Sequence, residues 1–268
     1  GIVAIFDIPN QRYIRMMYRF LFAVLGAVIM SACNQSANTE MKVDTLIEAK
    51  RIAKISIIVD THIDVPYRLE STPADISIAT DTGDFDYPRA QNGGLNAPFM
   101  SIYTPASLEA EGRSKVIANG LIDIVEEIVD RSPDKFAIAL SPSDVRKQFA
   151  AGLISFPLGM ENGSPIEGDL ANLRYFFDRG IRYVTLSHGL SNHISDSSYD
   201  EHRQWNGLSE FGVEVVEEMN RLGIMVDVSH ISDDAFWQVI ELSRAPVIAS
   251  HSSARHFTPG FERNMADD

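Results

Sequence analysis

The amino-acid sequence predicts an α/β fold, a TIM-like (β/α)8 barrel with about six of its eight strand units in this chain. Three observations point there. Short apolar runs of β type alternate with longer segments that carry helical spacing. The β-type runs are near-continuously apolar, which marks parallel strands buried on both faces and joined by crossover helices. Residues with polar, ionisable side chains fall at the ends of those runs, and a barrel is the architecture that brings parallel strand ends to one mouth. An open doubly wound sheet would spread the same ends along a line.

The β-type runs are Ile55 to Val59, Phe99 to Tyr103, Ile154 to Met160, Tyr183 to Leu186, Ile224 to Val228 and Pro246 to Ala249. Helices are expected at about 107–130, 142–151, 167–179, 209–221 and 232–243. Ser141-Pro142, Ser209-Glu210 and Ser232-Asp233-Asp234 are N-terminal signals, because a serine side chain can accept from the free amides of a first turn. Gly180 and Gly223 are placed to close two helices with a left-handed residue.

At 268 residues and 45% hydrophobic composition the chain has ample material for a buried core. Its formal charge of −14 and the absence of any Lys/Arg-rich run exclude a nucleic-acid partner, since phosphate binding needs a concentrated basic surface. Cys33 is the single cysteine, so no intramolecular disulfide can form. Residues 1–15 precede the first methionines and are set aside as an upstream extension. Residues 16–33 have a short basic start, an apolar run from Phe20 to Met30 and the small residues Ser31-Ala32 before Cys33, as in a secretory leader. The junction resembles the bacterial lipoprotein box, with Met30 where leucine is usual. An exported, periplasmic or cell-envelope protein lipidated at Cys33 is expected, the other reading being an ordinary cleaved signal. Residues 34–50 read as a polar tether ending in a short helix, and 51–268 as the barrel.

The chemistry gathers at the run ends. The first run leads into Asp60-Thr61-His62-Ile63-Asp64, the third into Glu161, the fourth into Ser187-His188, the fifth into Asp227-Val228-Ser229-His230 and the sixth into Ser250-His251. Four of the seven histidines therefore sit at strand ends, a placement that core packing does not explain. Period two puts His62 and Asp64 on one face of their strand. With Glu161, His230 and His251 they make five nitrogen and oxygen ligands without a thiolate. That is more than one open catalytic ion needs, and it suits two ions sharing a carboxylate. Glu161, the only carboxylate at its strand end, is the natural bridge. Asp60 fits either a supporting hydrogen bond to a ligand or a strand cap. His188, with no carboxylate beside it in sequence, fits substrate polarisation and a structural histidine equally well. Arg263 fits a solvated surface charge as well as a two-pronged grip on a carboxylate.

Val59-Asp60-Thr61-His62-Ile63-Asp64-Val65-Pro66 resembles the opening metal motif of the membrane (renal-type) dipeptidases, and Gly159-Met160-Glu161-Asn162-Gly163 resembles their bridging-glutamate strand. Tyr183 to His188 with Asn192, Gly207-Leu208-Ser209, Asn220 to Gly223, Asp227 to His230 and Ala245 to Ala254 are similar in order and spacing. The resemblance covers about residues 55–268. It implies a metal-dependent hydrolase barrel of the amidohydrolase type that cleaves dipeptides with two zinc ions. The implied ligands are His62, Asp64, Glu161, His230 and His251. His188 matches the histidine that contacts substrate near the scissile carbonyl, and Arg263 the arginine that holds the substrate carboxylate. The family pattern also has an acidic residue at its last strand, which nothing here matches. From Ile55 the chain supplies 268 − 54 = 214 residues, against roughly 250 for a typical barrel. The sequence is therefore expected to be incomplete at its C-terminus, with the general acid beyond Asp268.

The expected mechanism is hydrolysis of a dipeptide by a hydroxide bridging two cations roughly 3.5 to 4 Å apart, which polarise the carbonyl and need no protein nucleophile. No Gly-x-Ser-x-Gly elbow is present, in agreement. Other functions that the ligand set admits are an amidohydrolase acting on a cyclic amide, lactone or nucleobase, and a metal-containing solute-binding lipoprotein without turnover. The expected partners are small dipeptides, a membrane through the lipid anchor, no nucleic acid, and a homodimer as one possible assembly.

Overall fold

In the computed structural model, which describes residues 45–267, Pro157 divides what the sequence reads as one long strand. Proline has no N–H to give a ladder and is confined to strand edges and breaks. The first half, β4 (Ile154–Phe156), pairs in parallel with β3 (Phe136–Ile138), and the second, β5 (Leu158–Glu161), pairs with β2 (Ala97–Tyr103). Residues 45–55 are helical (α1) and the first strand, β1, is Val59–Ile63, so it lies four residues later than the apolar run suggests. Pairing decides that shift. The carbonyl of Ile58 accepts from the backbone of Asn96 and Ala97, and the ladder with β2 starts at Val59↔Ala97.

The main sheet runs β1-β2-β5-β6-β7, all parallel, with β6 at Ile181–Thr185 and β7 at Met225–Asp227. The sixth expected strand, Pro246 to Ala249, is reduced to a parallel bridge between Ile248 and Asp227, held by Val228 N–H on Ile248 O (2.8 Å) and Ile248 N–H on Val226 O (2.9 Å). The sheet curls enough that its two extremes meet: Thr61 Oγ1 donates to Ser250 O, and the rings of His62 and His251 stack with centroids 3.8 Å apart. This is the curled parallel sheet of a TIM-like barrel, described here in part.

Helices α2 (Val65–Ser71) and α3 (Tyr87–Gly93) follow β1, and α4 (Ser107–Ala110) and α5 (Ser114–Arg131) follow β2. The sequence suggests one helix over 107–130, but Gly112 adopts φ +63° and separates two. After these come α6 (Pro142–Ala150), α7 (Leu170–Asp178), α8 (Glu210–Leu222) and α9 (Asp233–Leu242). Ser141, Ser209 and Ser232 each cap a first turn, accepting from Asp144, Gly212 and Ala235 amides, and Gly223 closes α8 at φ +82°. Buried faces of α5 (Ala118, Leu121, Ile122, Val125), α7 (Leu173, Phe176) and α8 (Val215, Val216, Met219) join Met100, Ile102, Met160 and Val184 in one core.

The register lines up polar residues at the C-terminal ends of the strands. Tyr103 lies opposite Glu161, Glu161 opposite Thr185, and Thr185 opposite Asp227, so these four form one row across the sheet. The row beneath is Ser101, Gly159, Tyr183 and Met225. The upstream extension, the leader with Cys33 and the start of the tether lie outside the described residues.

Asp86 anchors the long loop between α2 and α3. Its carboxylate accepts from the amides of Arg89 (2.9 Å) and Thr80 (2.9 Å) and from Arg89 Nε (2.8 Å). The Arg89 guanidinium, with these amides, holds the Asp86 carboxyl well below the usual carboxylate range. A depressed carboxyl stabilises the fold above the unfolded-state pKa of about 3.9 and loses that contribution as pH falls through the folded value. Asp86→Asn is expected to cost about 1 to 2 kcal/mol at neutral pH. Urea titrations should show the gap to wild type closing below about pH 3.9; a gap that is independent of pH would refute the assignment.

Candidate metal centre

Glu161 ends β5 with only 4% of its surface exposed, and a buried carboxylate needs compensation by donors or cations. Four imidazoles surround it. Its Oε2 faces His62 Nε2 at 3.3 Å, while Oε1 faces His251 Nε2 at 3.1 Å, His230 Nε2 at 3.2 Å and His188 Nε2 at 3.5 Å. Each ring comes from a different strand end, as the curl of the sheet requires. Two groups able to hold an ion share this glutamate: His62, Glu161 and His251, and Glu161, His188 and His230. His188 is itself a member of the second group. Asp64 joins neither group, although its Oδ1 lies 3.3 Å from His62 Nε2; it is the most exposed acid of the centre.

Backbone geometry aims these side chains. Asn162, following Glu161, takes φ +74° and His230 takes φ +71°, left-handed conformations that non-glycine residues seldom adopt and that mark functional strand ends. The asparagine is held by Nδ2 donating to Thr104 O (2.9 Å) and by Asn192 Nδ2 donating to its Oδ1 (2.9 Å). The carbonyl of His230 accepts from Ser198 N–H at 2.7 Å, tying the turned strand end to the loop after β6.

The electrostatics are those of a crowded, half-dry site. Burial pushes the His230 imidazole down to about 4, with the Arg263 charge adding to it against the pull of Glu161. Burial likewise lowers His188. At His62 burial also works downward, yet Asp64 and Glu161 outweigh it and raise the group to about 9. Burial disfavours the Glu161 carboxylate, but His230, His251 and His62 together hold its pKa far below normal. Tyr103, half-buried beside His188, is pushed up to about 12 by burial.

Arg263 is buried rather than a solvated surface charge. Its NH1 donates to Ser252 Oγ at 2.6 Å and NH2 to His251 O at 2.9 Å, which brings the guanidinium to the rim of the centre. Asp60 turns its carboxylate to the His62 amide (3.0 Å) and so braces the strand end.

Sequence reasoning assigned no role to the residues behind the imidazoles. Tyr183 Oη lies 2.9 Å from His62 Nδ1, and Ser250 Oγ lies 2.7 Å from His251 Nδ1. Asp227, fully buried, accepts from Thr185 Oγ1 (2.5 Å) and Ser250 Oγ (2.6 Å). An acid between Val226 and Val228 on a buried strand was the available signal, since such a group must find partners.

The residues fit a divalent cation. The donor set is imidazole and carboxylate, the type that zinc and its neighbours take. His230 Nε2 and His251 Nε2 converge to 2.8 Å beside Glu161 Oε1, the convergence of donor atoms that a shared cation requires.

Comparison with known proteins agrees with this geometry. Residues 46–268 match the family model of the membrane dipeptidases (peptidase family M19). A dipeptidase of Aspergillus oryzae, AclJ, is 36% identical over 193 residues, 69% of this chain and 46% of its own length. Among solved structures, the probable dipeptidase PvdM of Pseudomonas aeruginosa superposes with a TM-score of 0.75 at 28% identity, over 84% of this chain and 59% of that one. A Rhodobacter sphaeroides metallopeptidase, solved with a phosphinate mimic of the dipeptide L-Ala-D-Ala, gives 0.71 at 27% identity over 79% of this chain and 69% of that one. The chain thus spans about half the length of the curated relative it matches. Family model, relatives and the glutamate ringed by histidines all lead to one assignment: this chain belongs to the membrane dipeptidase family of metallopeptidases.

Proposed function

We propose that the protein hydrolyses dipeptides at a centre of two zinc ions bridged by Glu161. The observation that carries this is the division of one buried carboxylate, Oε2 toward His62 and Oε1 toward His230 and His251. His62, Asp64, Glu161, His230 and His251 would hold the ions. Bound there, zinc supplies an acidified water as nucleophile and a Lewis acid for the scissile carbonyl.

The chain's own residues supply the rest. Arg263, buried at the rim, offers its guanidinium to the terminal carboxylate that every free dipeptide carries. His188 stands 3.5 Å from Glu161 with its ring 4.7 Å from that of Tyr103, where it can hydrogen-bond the carbonyl oxygen as the carbon becomes tetrahedral. The phosphinate mimic of a dipeptide bound by the Rhodobacter relative supports the substrate class. The leader-like residues 16–33 support an exported, lipid-anchored enzyme.

A panel of dipeptides and their C-terminal amides tests the reading. Hydrolysis is expected to stop on removal of metal with a chelator, to return with Zn2+, and to fall at least about 100-fold when the carboxylate is amidated, since a buried arginine denied its carboxylate partner costs about 3 kcal/mol. Turnover that survives chelation, or equal rates on acids and amides, would overturn it.

A further inference from the structure

Every contact of Asp227 is with a donor. Its Oδ1 accepts the amides of Ser229 (3.1 Å) and Ser250 (2.9 Å), and its Oδ2 accepts the hydroxyls of Thr185 and Ser250. The two amides join the end of β7 to residue 250, so one carboxylate sets the spacing of the segments that carry His230 and His251. The hydroxyl contact does something more specific. A serine hydroxyl has one proton, and that of Ser250 is committed to Asp227. Toward His251 Nδ1, 2.7 Å away, its oxygen can only accept.

We propose that Asp227, acting through Ser250, is a positioning residue that keeps the proton of His251 on Nδ1 and leaves the Nε2 lone pair facing Glu161. Carboxylates orient ligand histidines directly in many metal sites; here a hydroxyl is interposed. The relay explains a buried acid that has no place among the ligands, and a serine directly before His251. It rests on the metal-centre reading above.

The polarity of the relay makes the test sharp. Ser250→Ala removes the acceptor for Nδ1–H but leaves Asp227 its amides and Thr185. Asp227→Asn preserves shape; an amide nitrogen facing Ser250 would turn that hydroxyl round to donate to Nδ1 and drive the proton onto Nε2. Ser250→Thr keeps a hydroxyl and serves as the rescue. Each full-length variant is titrated with Zn2+ against a competing chelator, and its Co2+ form is examined by visible absorption. Ser250→Ala is expected to weaken one ion about 10 to 100-fold and to change the cobalt spectrum. Asp227→Asn should weaken it at least as much, and Ser250→Thr should stay near wild type; the metal-free Ser250→Ala protein should remain folded, its urea midpoint lowered only as far as the loss of one hydrogen bond to buried Asp227 requires. Wild-type zinc affinity and cobalt spectrum in Ser250→Ala would overturn the relay alone. Failure of the wild-type chain itself to bind zinc would overturn the metal-centre reading and the relay with it. Should Asp227→Asn fail to fold, the Ser250→Ala and Ser250→Thr pair decides.

Discussion

Glu161→Gln is expected to abolish metal binding and lower dipeptide hydrolysis by on the order of 10³-fold or more, about 4 kcal/mol or more of transition-state stabilisation. The amide keeps the volume but removes the charge, and one of its two positions becomes a donor that cannot hold a cation. Because Oε2 and Oε1 face different imidazole groups, either orientation of the amide spoils one half of the centre. Stability is expected to fall as well, since removing one partner of a buried charged cluster costs about 3 to 5 kcal/mol where nothing replaces it, a loss that the amide, still accepting through one atom, reduces. Metal content by mass spectrometry, turnover on a dipeptide and a urea midpoint separate these effects. A variant that keeps both its metal and its rate would show that Glu161 is not the bridge.

How far this centre could be read before the fold was seen depends on what sets each part. His62, Glu161, His188, His230 and His251 could be singled out because each ends an apolar run, and a curled parallel sheet must bring such ends together. The four rings and the carboxylate do meet, each ring nitrogen within 3.5 Å of a Glu161 oxygen. What was hidden depends on register, which sequence does not carry. Asp227 supports His251 only because it lies in the row of Thr185 and bridges to Ile248; shifted by one residue it would face the helices. Local chemistry also overrode periodicity. Pro157 splits an apolar run between two pairings, and the three-residue β3 is too short to leave a pattern. Helix α2 opens with Val65-Pro66 directly after the Asp64 strand end, and so hides inside what reads as a metal motif.

Gly159 shows how tightly that register is built, and Gly159→Ala is expected to be strongly damaging. A Cβ placed on Gly159 would stand 2.0 Å from Tyr183 Cζ and 2.2 Å from Cε1, far inside contact distance. The two residues are register partners on neighbouring strands, and the tyrosine ring lies across the glycine because nothing projects there. The ring has little room to retreat: Tyr183 is fully buried and Phe99 packs against it with centroids 5.3 Å apart. Overpacking of a rigid core costs about 1 to 3 kcal/mol and sometimes more; with ring and backbone both fixed, about 3 kcal/mol or above is expected. The functional cost follows from the same displacement, because it is the Tyr183 hydroxyl that meets His62 Nδ1 at 2.9 Å. Tyr183→Phe separates the two effects, keeping the ring and most of the stability while removing the hydroxyl. Urea midpoints of both variants and their zinc affinities provide the check. If Gly159→Ala unfolds within about 0.5 kcal/mol of wild type, an ordinary surface-substitution effect, then the ring is free to move and Tyr183 is no rigid support for His62.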